Sequence, residues 1–322
     1  MTDFWKKLKN KQQPIYVLAP MAGITDSPWR QICKSFGADV VVSEMASVAA
    51  LAYQPTKTLA MLKSQKSEAP YVIQLFGSKP EQFAMAVRLL VDTKKIKSLG
   101  IKNWRSPDGF DINFGCPVPK VLKQGAGSAL FKDLAKSRQV IEAVLDNTDL
   151  PLSIKVRARV GRLTVIDFLK NIQDLPISAL MIHGRSLAQG FNGAVDAEII
   201  KEAKKYFKGV VIANGGVNNL NQGQKLLKVS LADGLGLARG VSGRPWLFQE
   251  LKTGQTIVMS QKQIFKLMLK HAVLVEKYNG NFKEFRKHLL WYTAGWPGTK
   301  ELRQKLIKIE SLAEIKAILR GA

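Results

Sequence analysis

Eight times between Tyr16 and Arg239, a short β-rich apolar run ends in a polar residue or two and gives way to a longer segment of helical period. The runs are Tyr16 to Pro20, Val40 to Glu44, Tyr71 to Phe76, Phe110 to Asn113, Leu152 to Arg157, Ala179 to His183, Val210 to Asn214 and Gly234 to Arg239. Runs that are apolar nearly throughout are parallel strands buried on both faces. Parallel neighbours need a crossover between them, which the helical segments supply. Ser27-Pro28 and Ser78-Lys79-Pro80-Glu81 read as helix starts, each a cap residue with proline in the first turn. Eight β-α pairs within about 250 residues predict a (β/α)8 TIM barrel, since a doubly wound sheet rarely needs so many.

After Glu250 the pattern changes. From Gln261 to Ala322 there is helical period without strand runs, with turns at Tyr278-Asn279-Gly280-Asn281 and Trp296-Pro297-Gly298-Thr299. The expectation is a barrel over 1–250 followed by a small all-helical C-terminal domain of three or four helices over 251–322. Charge becomes informative here. The chain has 49 Lys+Arg against 25 Asp+Glu, a net +24 and a pI near 10.0. The residues after 250 hold 14 Lys+Arg against 5 Asp+Glu, a net +9 in 72 residues. Such an excess points to a polyanionic partner, nucleic acid ahead of an anionic membrane surface.

Other classes are disfavoured. No apolar run reaches the roughly 18 residues of a membrane span. The start carries Lys6, Lys7, Lys9 and Lys11 with no apolar stretch behind them, so no signal peptide is expected. Two cysteines, Cys33 and Cys116, exclude a disulfide scaffold and fit a reducing cytoplasm. Three histidines without Cys-x-x-Cys or His-x-x-x-His spacing predict no metal site. A monomer is the default expectation.

In such a barrel the active site lies at the C-terminal ends of the strands. The polar residues there are Met21, Glu44, Gln74, Asn113 with Cys116 beyond it, Lys155 with Arg157, His183, Asn214 and Arg239. Any one of them is what a strand end looks like; amide, thiol, amine and imidazole converging on one mouth point to a site. Ala213-Asn214-Gly215-Gly216 and Gly236-Leu237-Ala238-Arg239-Gly240 follow the seventh and eighth runs, where barrels hold phosphate on backbone N–H groups. Cys33, inside the first helix, reads as a core residue. Cys116, just past a strand end between Gly115 and Pro117, is placed to face the mouth. An unactivated thiol near pKa 8.5 is mostly protonated at neutrality and serves as an acid.

These residues carry a resemblance. Ala19-Pro20-Met21-Ala22-Gly23-Ile24-Thr25-Asp26, Ser43-Glu44-Met45, Val72-Ile73-Gln74-Leu75, Asp111 to Pro117, Gly125 to Leu130, Lys155-Val156-Arg157, His183-Gly184-Arg185, Ala213-Asn214-Gly215 and Gly243-Arg244-Pro245-Trp246 run in order over nearly the whole chain. The set resembles the bacterial tRNA-dihydrouridine synthases, the B-like branch most closely, with a weaker match at Phe285-Arg286-Lys287-His288 and Trp291-Tyr292. The resemblance implies an FMN-dependent reduction of the C5=C6 bond of uridine in the tRNA D-loop, with NADPH or NADH recharging the flavin. It places Pro20, Met21 and Ala22 along the flavin ring and Gln74 at its pyrimidine end. Lys155 falls near the N1/O2 edge, where positive charge stabilises the reduced anion. Asn214, Gly215, Gly216, Ala238 and Arg239 fall at the phosphate, and His183 and Arg185 on the phosphate or substrate side. Asn113, Arg157 and Arg286 fall with Arg185 among the substrate contacts, and Cys116 matches the proton donor.

Three departures stand out. Ala238 replaces a usual glycine, Ala158 to Arg162 is shorter and more basic than the family pattern, and Thr93 to Asp108 is longer. The last segment sets five cations around Trp104 and reads as a solvated loop or an extra tRNA contact. Two rivals remain: a flavin barrel reducing a free small molecule, and a tRNA-binding protein without catalysis. The basic tail argues against the first. Cys116, Lys155 and both glycine loops argue against the second.

Overall fold

In the computed structural model, which describes residues 3–321, the eight runs are eight parallel strands. They are β1 (Ile15–Leu18), β2 (Val40–Val42), β3 (Tyr71–Phe76), β4 (Gly109–Asn113), β5 (Leu152–Arg157), β6 (Ala179–His183), β7 (Val210–Asn214) and β8 (Gly234–Leu237). Each pairs with the next, and β8 returns to β1 with Gly234 opposite Ile15, so the sheet closes on itself. This is the expected (β/α)8 barrel. The ladders of β1, β2 and β8 stop at Leu18, Val42 and Leu237, short of the apolar runs. Beyond β1 and β8 the chain leaves the sheet at the mouth, whereas after β2 it returns to pair Ala46 with Leu75 and Ser47 with Phe76 at the end of β3.

Helix starts differ in detail from the sequence reading. Asp26, not Ser27, caps the Ser27–Ser35 helix, its carboxylate accepting from Trp29 N at 2.9 Å. Ser27 Oγ donates instead to buried Glu68 at 2.6 Å. Before Pro80 the cap position is Lys79, without a side-chain bond, while Ser78 Oγ donates to the Gln124 carbonyl at 2.7 Å. Proline does sit in the first turn of both helices.

The barrel interior is apolar at one end and polar at the other. A short helix, Phe4–Lys9, closes the N-terminal end and inserts Trp5 among Ile15, Val17, Val40, Val210 and Ile212. Lys9 Nζ fastens it to the Gly209 carbonyl at 2.9 Å. Burying such an indole stabilises the plug by about 1.5–3 kcal/mol. Nothing in the sequence pattern anticipates it.

The tail forms four helices, Gln261–Tyr278, Phe282–Tyr292, Lys300–Leu306 and Leu312–Arg320. The last barrel helix, Leu247–Thr253, runs past residue 250, so the strand-free region begins after Thr253. One core spans both parts. Trp29 of the Ser27–Ser35 helix is fully buried, its ring 5.4 Å from His271, 4.8 Å from His288 and 6.4 Å from Tyr292. Burial holds His271 down at about 3 and His288 well below the ordinary imidazole value, so both are neutral. Toward the mouth, Asn279 Nδ2 donates to Asp26 at 2.8 Å. Among the described residues no helix is long and apolar enough to cross a membrane.

Candidate active site

The polar end of the barrel opens into a cavity of about 450 Å³. Pro20, Met21 and Ala22 line it after β1, Gln74 from β3, Asn113 and Cys116 from β4 and its loop, and Lys155 and Arg157 from β5. His183 and Arg185 come from the end of β6, Asn214, Gly215 and Gly216 from β7, and Ala238 and Arg239 from the loop after β8. Register explains the convergence: Asn113 stands opposite Lys155, Arg157 opposite His183, His183 opposite Asn214 and Asn214 opposite Gly236.

Arg286 is the one proposed site residue that lies elsewhere. Its guanidinium donates to the Ile309 carbonyl at 2.9 Å and to Lys308 O at 3.2 Å, and pairs with Glu310. It braces a turn between C-terminal helices. Glu44 accepts from Gly23 N and does not line the cavity. The Thr93–Asp108 segment leads into β4 from the N-terminal end of the barrel, opposite the mouth. It contains a helix, Thr93–Ser98, and is anchored by buried Ile96 and Ile101, by Trp104 Nε1 on the Leu90 carbonyl at 3.2 Å, and by Arg105 on Asp108 at 2.7 Å. Ala158 to Arg162 forms a hairpin at the mouth, Arg159–Val160 pairing with Leu163–Thr164 around Gly161.

The loop that carries Cys116 is held rigidly. Asn113 Oδ1 accepts from both Gly115 N at 3.0 Å and Cys116 N at 2.9 Å. Arg157 Nε donates to the Gly115 carbonyl at 2.9 Å. From behind, Ser128 N donates to the Cys116 carbonyl at 3.1 Å. Gly127, at φ 60°, must be glycine there: a Cβ would lie 2.9 Å from that same carbonyl. Cys116 is 9% exposed, and burial pushes its thiol up, against the opposing pull of Val118 N, Arg157 and Lys155. It is a neutral thiol at the edge of a cavity. Cys33 is fully buried in the core.

Charge in the cavity has one sign. Lys155, Arg157, Arg185 and Arg239 line it, and among the described residues no carboxylate does. Burial, then repulsion from Arg157, holds Lys155 down at about 8. Burial, then the neighbouring cations, holds His183 down at about 2, so its imidazole is neutral. Like charges concentrated in this way are relieved by an anionic ligand. The glycine loop beside them is open to one. Gly215, at φ 110°, passes so close under His183 that a Cβ would lie 2.6 Å from its ring. Asn214 Nδ2 ties that loop to the Gly236 carbonyl at 2.7 Å.

Sequence reasoning missed Phe191. Although 54% exposed, it lines the cavity, with the Arg239 guanidinium 4.1 Å over its ring. Its signal was an aromatic between Gly190 and Asn192-Gly193 in the loop after His183-Gly184-Arg185.

A family model described as Dihydrouridine synthase (Dus) matches residues 17–321, the barrel and the helical tail together. The chain belongs to the dihydrouridine synthase family. This family member is 32% identical over 307 residues to the tRNA-dihydrouridine synthase B of Pseudomonas syringae pv. tomato, covering 91% of this chain and 87% of that protein. It is 31% identical over 315 residues to the enzyme of the same name from Vibrio vulnificus, covering 95% and 93%. A probable tRNA-dihydrouridine synthase of Helicobacter pylori is 32% identical over 305 residues, covering 94% and 88%. Among solved structures, 2-naphthoyl-CoA reductase superposes with a TM-score of 0.54 at 12% identity, over 74% of this chain and 50% of that one. Histamine dehydrogenase from Rhizobium sp. 4-9 gives 0.51 at 12% identity, over 80% and 48%. Those two show the shared barrel fold alone.

Proposed function

We propose that this dihydrouridine synthase family member binds FMN in the mouth cavity and reduces the C5=C6 bond of uridine in the tRNA D-loop, with NADPH or NADH as reductant. The observation that carries the reading is the cavity itself: four cations and no carboxylate, around two glycine loops and a buried neutral thiol. This lining suits a phosphorylated flavin. Gly215, Gly216, Ala238, Arg239 and Asn214 would hold the phosphate on backbone N–H groups and a guanidinium. Lys155 would stand at the ring edge where negative charge collects, Gln74 at the pyrimidine end, and Pro20, Met21 and Ala22 along the ring. When bound, FMN supplies a hydride equivalent to uracil C6.

The chain's own residues supply the rest. Cys116 holds a proton for C5, which becomes basic once C6 has been reduced. Asn113 fixes its loop, and Arg157 and Arg185 offer cations to the uracil or its phosphate. His183, neutral, is a hydrogen-bonding group and not a charge. A uridine stacked in folded tRNA has to be turned out into the cavity, at about a few kcal/mol. Cations on the RNA backbone offset that cost. One such surface lies on the tail, a groove where Lys262, Lys266, Lys316 and Arg320 surround Phe265, Leu269 and Leu319. We assign the helical region as the tRNA-binding part, the enzyme as a monomer without a metal, and its compartment as the cytoplasm, where tRNA is modified.

The purified protein should bind FMN and, with NADPH, convert uridine to dihydrouridine in tRNA transcripts. Mapping dihydrouridine in tRNA from a strain lacking the gene, with and without complementation, identifies the position. A preparation that no added flavin reconstitutes refutes the enzyme reading.

A further inference from the structure

Beneath the cavity floor, Gln74 continues into two buried polar groups that the proposed chemistry does not use, Asp111 and Ser153. Gln74, Asp111 and Ser153 are neighbours across β3, β4 and β5, with Gln74 opposite Asp111 and Asp111 opposite Ser153. Two residues nearer the mouth, Asn113 and Lys155 face the same interior. Asp111 accepts from Gln74 Nε2 on one oxygen and from Ser153 Oγ on the other, both at 2.7 Å. Gln74 Oε1 accepts from Asn113 Nδ2 at 2.9 Å, and Asn113 Oδ1 takes the N–H groups of Gly115 and Cys116. The chain of donors therefore has one direction. A carboxylate accepts only, so the Gln74 amide cannot flip without setting its oxygen against Asp111 and its NH2 against that of Asn113.

Asp111 has a second neighbour. With Ser153, Lys155, Trp5 and Met181 it lines a void of about 10 Å³, room for at most one water, so solvent reaches the pair only from the side where Lys155 lines the mouth cavity. The groups acting on Lys155 are Arg157 on its own strand and Asp111 and Cys116 from the β4 side, with neutral His183 across β6. With Cys116 a neutral thiol, Asp111 is the one among them that favours the ammonium.

We propose that Asp111 is a positioning residue for the cavity floor: its carboxylate fixes the direction of the Gln74 amide and supplies the buried negative charge that keeps Lys155 protonated. The assignment deepens the flavin reading and rests on it. Burial holds Asp111 up at about 6 and Lys155 down at about 8, so between those values both are charged. Removing the carboxylate charge lowers Lys155 further, so that its positive charge is partly lost already at neutral pH.

The test is FMN binding by the whole protein, read as fluorescence quenching from pH 6 to 9, with the absorption spectrum of the bound flavin recorded alongside. Asp111→Asn keeps the shape, leaves one acceptor for Gln74 and turns its NH2 to the Ser153 hydroxyl, which can accept. Affinity in the wild type should fall as pH rises through about 8. In Asp111→Asn the fall should move to lower pH, leaving binding about fivefold weaker at pH 8 and about tenfold weaker at pH 9, the effect of one pKa unit. Lys155→Met and the double variant Asp111→Asn/Lys155→Met should bind FMN equally, since the charge acts through Lys155. Asp111→Leu, which also removes the acceptor from Gln74, should shift the flavin absorption band, and an unshifted band overturns the orienting role. Ser153→Ala withdraws one donor from the carboxylate, raises its pKa and should move the fall the same way by less. Wild-type pH dependence in both Asp111→Asn and Ser153→Ala, or additive losses with Lys155→Met, overturns the charge role. A wild type that binds no FMN at any pH overturns the flavin reading itself.

Discussion

Replacing Cys116 with alanine isolates the proton-transfer step. The sulfur packs against Val121 and Ala126, with Met45 and Phe76 beside them, at the wall of an open cavity. Its loss costs the fold about 1 kcal/mol, and neither Gly215, Gly216 nor Lys155 depends on it for position. FMN binding should therefore be retained. Among the described residues no carboxylic acid and no phenol lines the cavity, so the remaining protonated groups are the arginines and Lys155, which the flavin reading places at the ring edge. A missing general acid costs about 10² to 10⁴ in rate, or about 3–5 kcal/mol of barrier. The assay is single turnover, mixing pre-reduced enzyme with a tRNA transcript and following flavin reoxidation and dihydrouridine formation together. The pH profile adds a second check. Burial keeps the thiol protonated through neutrality, so the alkaline fall through about 8 belongs to Lys155 and should survive in Cys116→Ala. Wild-type single-turnover rates in Cys116→Ala would refute the assignment of the acid.

Four further outcomes are expected. Arg239→Ala should weaken FMN more than riboflavin, since it removes a phosphate ligand; equal weakening of both would move Arg239 off the phosphate. Arg30→Met should cost about 3–5 kcal/mol in denaturant unfolding, because it strands Glu68 at 0% exposure after breaking a 2.6 Å ion pair. Stability should fall as pH drops below about 6.5, by about 1.4 kcal/mol per unit for each of His271 and His288. Both are neutral in the folded protein and take up protons on unfolding, so the loss lies on the acid side; a flat melting temperature from pH 7 to 5 would contradict their burial. Lys262→Ala, Lys266→Ala and Lys316→Ala together should lower the salt slope of tRNA binding by about 0.9 for each phosphate that these lysines neutralise, and an unchanged slope would take the RNA off that groove. Deleting the tail is a poorer test, because Trp29 would lose the imidazoles that cover it.

The strands were legible because each is covered on two sides and so reads as a nearly apolar run. The site was legible because it sits where those runs break. Gln74, Asn113, Lys155, His183 and Asn214 each fall in the C-terminal half of a mainly apolar strand, and a closed barrel brings such positions together. The Phe4–Lys9 plug was not legible, since six residues with three lysines bury a single side chain, Trp5, whose partners come from distant strands. Phe191 was hidden for a related reason: an exposed aromatic in a glycine-rich loop gains meaning only when Arg239 is known to lie over it. Arg286 lies outside the cavity, and its packing could not be read from the short tail match: its guanidinium bonds the Ile309 carbonyl between two tail helices. Asp111 opens the Asp111 to Pro117 motif, yet its role could not be read there, because it depends on neighbours in two adjacent strands.

The core that Trp29 shares with His271, His288 and Tyr292 removes any hinge between barrel and tail. One end of the Gln261–Tyr278 helix is tied to the mouth through Asn279 and Asp26, while its other end carries Lys262 and Lys266. Its 18 residues set the two ends about 27 Å apart at 1.5 Å per residue. For an enzyme that acts on tRNA this helix is a fixed ruler. In the proposed reading, the nucleotide delivered to Cys116 would be set by distance along the RNA surface, and displacing the lysines by one helical turn, about 5.4 Å, should shift which nucleotide is reduced.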